Sequence, residues 1–236
     1  MTFFEHLGEL RKRILYSVFF ILVCFLASWS FVDKIYRWLA QPLLQFMPQG
    51  EKLAFTSLTE PFMMYIKLAL IAGLFLACPF VFHQLWLFIS PALYNKEKGL
   101  VFPFVFFTTV FFLLGGAFGY YFVFPWACRF FLEVGKDFKA IITIDQYFTL
   151  AFRILLGIAV IFELPVLAFL LAKLKILTAR FLIKYFKYAI VLIFIIAAVI
   201  TPTPDAVTQS LFAIPMILLY LLSIGIAKVV GPKETE

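Results

Sequence analysis

Apolar residues run through this chain in six stretches, each closed by a charged cluster or by proline and glycine. They cover roughly residues 14–32, 62–88, 100–126, 147–172, 188–200 and 206–227. A helix advances about 1.5 Å per residue, so a run of about 20 residues crosses a hydrocarbon core of about 30 Å. The last two runs are expected to give short helices: the fifth, thirteen residues, reaches only about 20 Å and must thin the bilayer or lean on longer neighbours. The pattern predicts an all-α polytopic membrane protein with six transmembrane helices, forming a single integral membrane domain over residues 1–236.

Punctuation inside and between the runs refines this picture. Pro79, Pro103, Pro125, Pro165 and Pro215 lie within spans or near their ends, so several helices are expected to kink. Kinked long helices beside short ones favour a concave wall over a compact bundle. Ile35, Trp38 and Leu39 keep i, i+3, i+4 spacing before Pro42, which is expected to stop a short interfacial helix there. Thr59 is a candidate N-cap of the second span, with Glu60 at the favourable end of the helix dipole and Pro61 in the first turn. Asp145 is the candidate cap of the fourth span and Asp205 that of the sixth. Thr201-Pro202-Thr203-Pro204-Asp205 is long enough only for a tight hairpin between the last two spans. No convincing internal repeat is visible.

Composition excludes a soluble fold. With 64% hydrophobic residues, 14% charged residues and a mean hydropathy of +1.04, a chain of 236 residues cannot hide its apolar side chains in one core. The net charge of +7 sits in short segments between apolar runs rather than along one face, which argues against a nucleic-acid partner. Twelve basic residues lie in the segments around Arg11–Arg13, Lys96–Lys98, Lys173–Lys187 and Lys228–Lys233, against six in the alternate segments. That bias places both termini in the cytoplasm. Lys67 and Arg153 lie inside spans near their outer ends and are expected to snorkel outward. The first run is too long for a cleavable signal core and lacks a small-residue cleavage site, so it reads as an uncleaved span. Cys24, Cys78 and Cys128 show neither metal-ligand spacing nor an even count, and no disulfide or metal site is expected.

Few polar residues remain to carry chemistry. Glu163 is ten residues from both Arg153 and Lys173, about 15 Å along a helix from each, so its short side chain reaches neither interface. A carboxylate at that depth is either a functional group facing a polar cavity or a partner, or a neutral glutamate that ties neighbouring helices together. On the second reading of function, Glu163 would serve a proton- or ion-coupled small-solute transporter. His83 and Gln84 read mainly as hydrogen-bonded structural residues, and Gly115, Gly116 and Gly119 as a close-packing face. Glu9 and Glu97 each stand in a basic cytoplasmic segment, where a local ion pair is the simple reading, with Lys12 or Arg13 for Glu9 and Lys96 or Lys98 for Glu97. Two carboxylates at the cytoplasmic ends of different spans also suggest a cation-binding pair. No H-E-x-x-H, G-x-S-x-G or phosphate-binding glycine loop is present, so no enzyme activity and no cofactor are expected.

The segments H-L-G-E-L-R-K-R (His6–Arg13), F-I-S-P-A-L-Y (Phe88–Tyr94) followed by K-E-K, F-E-L-P (Phe162–Pro165), T-P-T-P-D (Thr201–Asp205) and F-A-I-P-M (Phe212–Met216) together resemble the TatC family. This family supplies the multispanning receptor subunit of the twin-arginine protein translocase, and the likeness runs in order along essentially the whole chain. It implies six helices in a cupped, glove-like wall in the cytoplasmic (inner) membrane, with both termini in the cytoplasm. It further implies binding of twin-arginine signal peptides of folded cargo, and transport on the proton-motive force with the single-span subunits TatA and TatB. Self-association in the lipid bilayer is a further expectation. By position in the motifs, Glu9 and Glu97 match the carboxylates that engage the arginine pair, with Arg11 and Phe88 beside them. Glu163 matches the polar residue where partner helices dock, and Pro42 and Asp205 match outer-face positions needed for transport. Lys98 followed by Gly99, and Asn95 where a basic residue is common, depart from the family pattern.

Overall fold

The computed structural model of the chain describes residues 3–46, 53–89, 101–139, 141–201 and 205–231, which are helical almost throughout. They divide into two compact units, Met1–Val110 with Cys128–Thr149 and Phe111–Ala127 with Leu150–Glu236.

In the first unit, α1 (Phe3–Trp29) begins well before the apolar run, because the segment rich in Glu, Leu, Arg and Lys is itself a good helix former. It ends three residues before the expected boundary at Val32, in a turn closed by Phe31 N–H on the Ser28 carbonyl at 3.0 Å. Val32 instead opens α2 (Val32–Leu44), which leaves α1 at 83°. Val32, Leu39, Ala40, Pro42 and Leu43 are buried on one side of α2, while Asp33, Lys34 and Arg37 are exposed. This is the amphipathic short helix the spacing predicts, with one correction: Pro42 does not stop it. A proline withholds only one N–H, and here the last turn continues through Gln45 N–H on Gln41 and Phe46 N–H on Leu43. The Tyr147 hydroxyl donates to the Leu39 carbonyl at 2.8 Å and fixes this turn from outside.

Helix α3 (Glu60–Ile89) lies along α1 in the opposite direction. Ring contacts mark the register: Trp29 with Phe62, Phe20 stacked on Phe80 at 4.7 Å, and His6 stacked on Phe88 at 4.5 Å. The closest approach is at Gly73, where an added Cβ would stand 2.7 Å from the Phe25 backbone nitrogen and 2.8 Å from its Cα. Only glycine permits this backbone-to-backbone contact, the usual device for close helix pairs in lipid.

The start of α3 is tied to α6 (Ile144–Ile161) through Glu60. Its Oε2 accepts the Thr56 N–H at 2.7 Å and hydroxyl at 2.9 Å, and its Oε1 accepts the Asp145 N–H at 2.9 Å. Ala54 and Thr143 form an isolated bridge beside it. The expectation that Asp145 caps this helix is corrected. Thr143 stands just outside the first turn, and its hydroxyl accepts the Gln146 N–H at 3.4 Å. Asp145 has already entered the helix, which frees its carboxylate to pair with Lys67 at 2.7 Å. Thr59 caps α3 through its carbonyl, which accepts the Met63 N–H, while its hydroxyl lies 3.0 Å from that of Ser57.

The third run forms α4 (Val101–Phe118), a π-helical turn at Gly119–Val123 and α5 (Phe124–Val134). The helix therefore continues past the expected end at Trp126 and carries Arg129 within it. The π turn is the form the expected kink takes. Pro125 offers no N–H, and the turn before it widens so that Phe124 N–H bonds the Gly119 carbonyl five residues back.

In the second unit, Gly115 faces α6 so closely that a Cβ would lie 2.8 Å from the Ala159 Cα and from the Phe162 Cβ. This is the close-packing role read from the glycine spacing. After α6, Phe162 and Glu163 break the helix before α7 (Leu164–Lys173). Helix α7 ends in a Schellman turn, with Ile176 N–H on Leu171, Lys175 N–H on Ala172 and Lys175 at φ 60°. The Thr178 hydroxyl caps α8 (Ala179–Lys184), and α9 (Phe186–Ile200) follows. Helix α10 (Ala206–Val230) packs against α7, α8 and α9, and Gln209 donates to the Phe194 carbonyl at 2.7 Å. Residues 202–204 of the expected hairpin lie outside the described residues.

Among the described residues, Glu60–Ile89, Phe102–Val134, Ile144–Lys173 and Ala206–Val230 are long and apolar enough to cross a membrane. Helix α1 with its bent continuation α2 makes a fifth candidate. Helix α9, at 15 residues, is about 22 Å long and short for a span, as its sequence predicts. The expectation that the last helix is short too is corrected: α10 runs for 25 residues because the helix continues through Pro215 and past the apolar run to Val230.

Two stability outcomes follow. Gly73→Ala forces α1 from α3 and is expected to lower stability by about 1–3 kcal/mol, read by denaturant titration of the detergent-solubilised protein. Asp205→Ala removes the α10 cap and is expected to cost about 1 kcal/mol, whereas Asp205→Asn retains most of it in the same titration.

Candidate functional site

The first three turns of α1 and the last turns of α3 meet at one end of the first unit. Glu9 and Arg13 are one helical turn apart, and the Arg13 Nη2 donates to Glu9 Oε1 at 3.1 Å. This is the i, i+4 pairing open to Glu9 from the sequence. What the sequence reading missed is the third member. Arg13 Nη1 donates to Gln84 Oε1 on α3 at 3.2 Å, across 71 residues. Gln84 is buried while the adjacent His83 is exposed, so the helix turns the amide inward and the imidazole outward. The available signal was an uncharged polar side chain in an apolar run facing a partly apolar neighbour, which demands a hydrogen-bond partner.

The trio is incompletely satisfied. Glu9 Oε2 and Arg13 Nε are both buried and without a hydrogen-bond partner. The guanidinium thus holds the carboxylate by one N–H···O contact rather than the two-point fork that Arg and Glu can form. The Ser17 hydroxyl bonds the Arg13 carbonyl at 3.0 Å and continues the polar strip up α1.

Around the trio, the structure brings some predicted residues together and leaves others apart. Phe88 stacks on His6 at 4.5 Å and forms an aromatic side to the Glu9 end of α1. Arg11 is exposed and, two residues from both Glu9 and Arg13, stands about 200° round the helix from each, on the opposite face of α1. Glu97 lies outside the described residues, in the segment 90–100 between α3 and α4. Both flanks of that segment are held by the buried Trp86 of α3, which stacks on Phe104 of α4 with ring centroids 4.2 Å apart.

The other candidates occupy separate places. Glu163 is the residue at which α6 and α7 break. Its carbonyl accepts the Leu167 N–H at 2.9 Å, and its own N–H makes a tight contact to Val160 at 3.1 Å. Pro165 at the second position of α7 supplies no N–H to the preceding turn, which localises the break here. Glu163 Oε1 is buried with no hydrogen-bond partner, a costly state for a carboxyl oxygen and one that invites a donor. Pro42 is buried in the last turn of α2. Asp205 is the N-cap of α10, its Oδ1 accepting from Val207 N–H at 3.1 Å and Thr208 N–H at 2.8 Å.

Known proteins share this architecture. The family model described as TatC, Sec-independent protein translocase protein, matches residues 5–215. The Sec-independent protein translocase protein TatC of Koribacter versatilis is 45% identical over 237 residues, 99% of this chain and 88% of the relative. The protein of the same name from Helicobacter pylori is 45% identical over 236 residues, covering 98% and 90%. A crystal structure of a twin arginine translocase receptor, TatC, superposes with a TM-score of 0.85 at 34% identity, covering 95% of this chain and 99% of that one. The family match over residues 5–215, the identity to these relatives along nearly the whole chain and the shared fold place this chain in the TatC family, as an integral-membrane component of the Sec-independent protein translocase.

Proposed function

We propose that this chain is the receptor subunit of its translocase, and that Glu9 and Glu97 bind the paired arginines of signal peptides on folded cargo. The observation that carries this reading is the Glu9 carboxylate, held at the end of α1 with Oε2 buried and unpartnered. An unused acceptor on a buried carboxylate is unfavourable until a donor arrives. A guanidinium is the donor whose shape and permanent charge fit best, and two adjacent arginines need two carboxylates on firmly held supports. The Trp86–Phe104 stack joins α3 and α4, the two helices that flank the segment containing Glu97. The relative solved as a twin arginine translocase receptor supports the same role.

On this reading the whole chain works as one integral domain of the cytoplasmic membrane with both termini in the cytoplasm. It acts with TatA and TatB and draws on the proton-motive force. Phe88 lines the approach to Glu9 with its ring, while Arg11 contributes positive charge from the other face of α1. Glu163 offers its unpartnered oxygen to a partner helix or to the signal. Pro42 and Asp205 act on the outer side, the first by its packing in the last turn of α2 and the second by capping α10.

The test is photocrosslinking from positions beside residues 9 and 97 to a signal peptide with and without its arginine pair. Glu9→Ala with Glu97→Ala is expected to abolish the arginine-dependent crosslink while the protein still inserts; an undiminished crosslink overturns the assignment. For Glu163, replacement by Leu is expected to lower copurification of TatB about fivefold and replacement by Gln much less, as for one interhelical hydrogen bond in lipid. Equal retention by both variants removes Glu163 from partner docking.

A further inference from the structure

The polar trio at the end of α1 contains an arginine of the chain's own, and its geometry is that of a provisional occupant. Arg13 reaches Glu9 through one nitrogen, Nη2, at 3.1 Å, and Gln84 through the other, Nη1, at 3.2 Å. Its Nε is buried and bonded to nothing, and Glu9 Oε2 is equally unpartnered. A guanidinium committed to Glu9 alone would turn to make two parallel bonds to both carboxylate oxygens. That fork would use the Nε–Nη2 edge, and the Gln84 contact on Nη1 opposes the in-plane turn that would bring Nε onto the second oxygen.

We infer that Arg13 is a built-in stand-in for a signal-peptide arginine at Glu9, and that Gln84 is the positioning residue that keeps it from closing the site. The inference rests on the reading that Glu9 receives a signal arginine. An arriving guanidinium meets a carboxylate with one oxygen open. As it takes Glu9, Arg13 gives up a single bond and retains the one to Gln84, so the displaced charge keeps an acceptor in a place where an unpaired buried donor is costly. Gln84 is suited to this because an amide oxygen accepts from Arg13 without carrying a charge that would draw it away from Glu9 permanently. The pair also provides selectivity. A lysine ammonium is a point donor that competes with Arg13 less well than a second planar fork does.

The roles predict effects of opposite sign. Gln84→Met leaves Arg13 free to close on both oxygens of Glu9 and is expected to weaken binding of a twin-arginine peptide about tenfold. Arg13→Gln removes the stand-in, is expected to tighten binding severalfold, and is expected to narrow the preference for arginine over a lysine-substituted peptide. The decisive measurement is the double variant. With Arg13→Gln in place, Gln84→Met should have no further effect, because its only action is through Arg13. All are read by fluorescence anisotropy of a labelled signal peptide on full-length protein in nanodiscs, with circular dichroism confirming equal helix content.

The inference is overturned if Arg13→Gln weakens binding, or if Gln84→Met is as harmful without Arg13 as with it, which would mark both as packing residues. Glu9→Gln separates the two levels. If that variant binds as the unmodified protein does, the receptor reading of Glu9 fails; if it abolishes binding while the Arg13 and Gln84 effects are absent, only the stand-in fails.

Discussion

The backbone of α1 rests directly on that of α3 at Gly73, and the candidate site depends on this contact. In lipid there is little hydrophobic force to drive one apolar helix against another, so close approach and interhelical polar contacts must hold the pair. With the backbones this close, side chains further along meet at fixed register: Phe20 over Phe80, His6 over Phe88, and Arg13 against Gln84. A small change in separation at Gly73 would be carried down both helices to Glu9. A glycine in the middle of one apolar run, set against the backbone of another, thus sets the geometry of charges near their ends.

Prolines interrupt the helices at two further places. Backbone groups freed by proline must find partners or stay near polar neighbours where no water is at hand. At Pro125 the chain answers by widening a turn to π geometry, which leaves Phe124 N–H bonded to Gly119. At Pro165 the helix breaks instead, and the residue at the break is the one carboxylate deep in a span. Glu163 is therefore presented at a defect in the helix rather than on a regular face, with an oxygen that has no partner. The polar tie made by Glu60 works in the opposite way. It gathers Thr56 and Asp145 N–H groups that would otherwise lie open at a helix start and an adjoining loop.

Much of the architecture was legible from residue patterns. Long apolar runs named the helices, Asp205 was correctly read as a cap, and the glycine spacing at Gly115 and Gly119 pointed to a close interface. The errors fell where a local rule has more than one solution. Pro42 stops a helix in general, yet at the last turn it costs a single bond and α2 runs past it. Asp145 and Thr143 are both good caps by type, and only the frame of the first turn, set by the Ala54 bridge and Glu60, decides between them. Val32 continued the apolar run but belongs to a helix turned through 83°, because an apolar face can bury against protein as well as lipid.

Sequence alone determined the membrane class, the helix order, the family resemblance and the identity of the carboxylates, since these follow from composition, periodicity and motif. Tertiary structure decided what each carboxylate touches. The bond between Arg13 and Gln84 joins residues 71 apart and exists only because α1 and α3 run in opposite directions in one register. Periodicity describes one helix at a time, and it contains no information about which face of another helix comes to meet it.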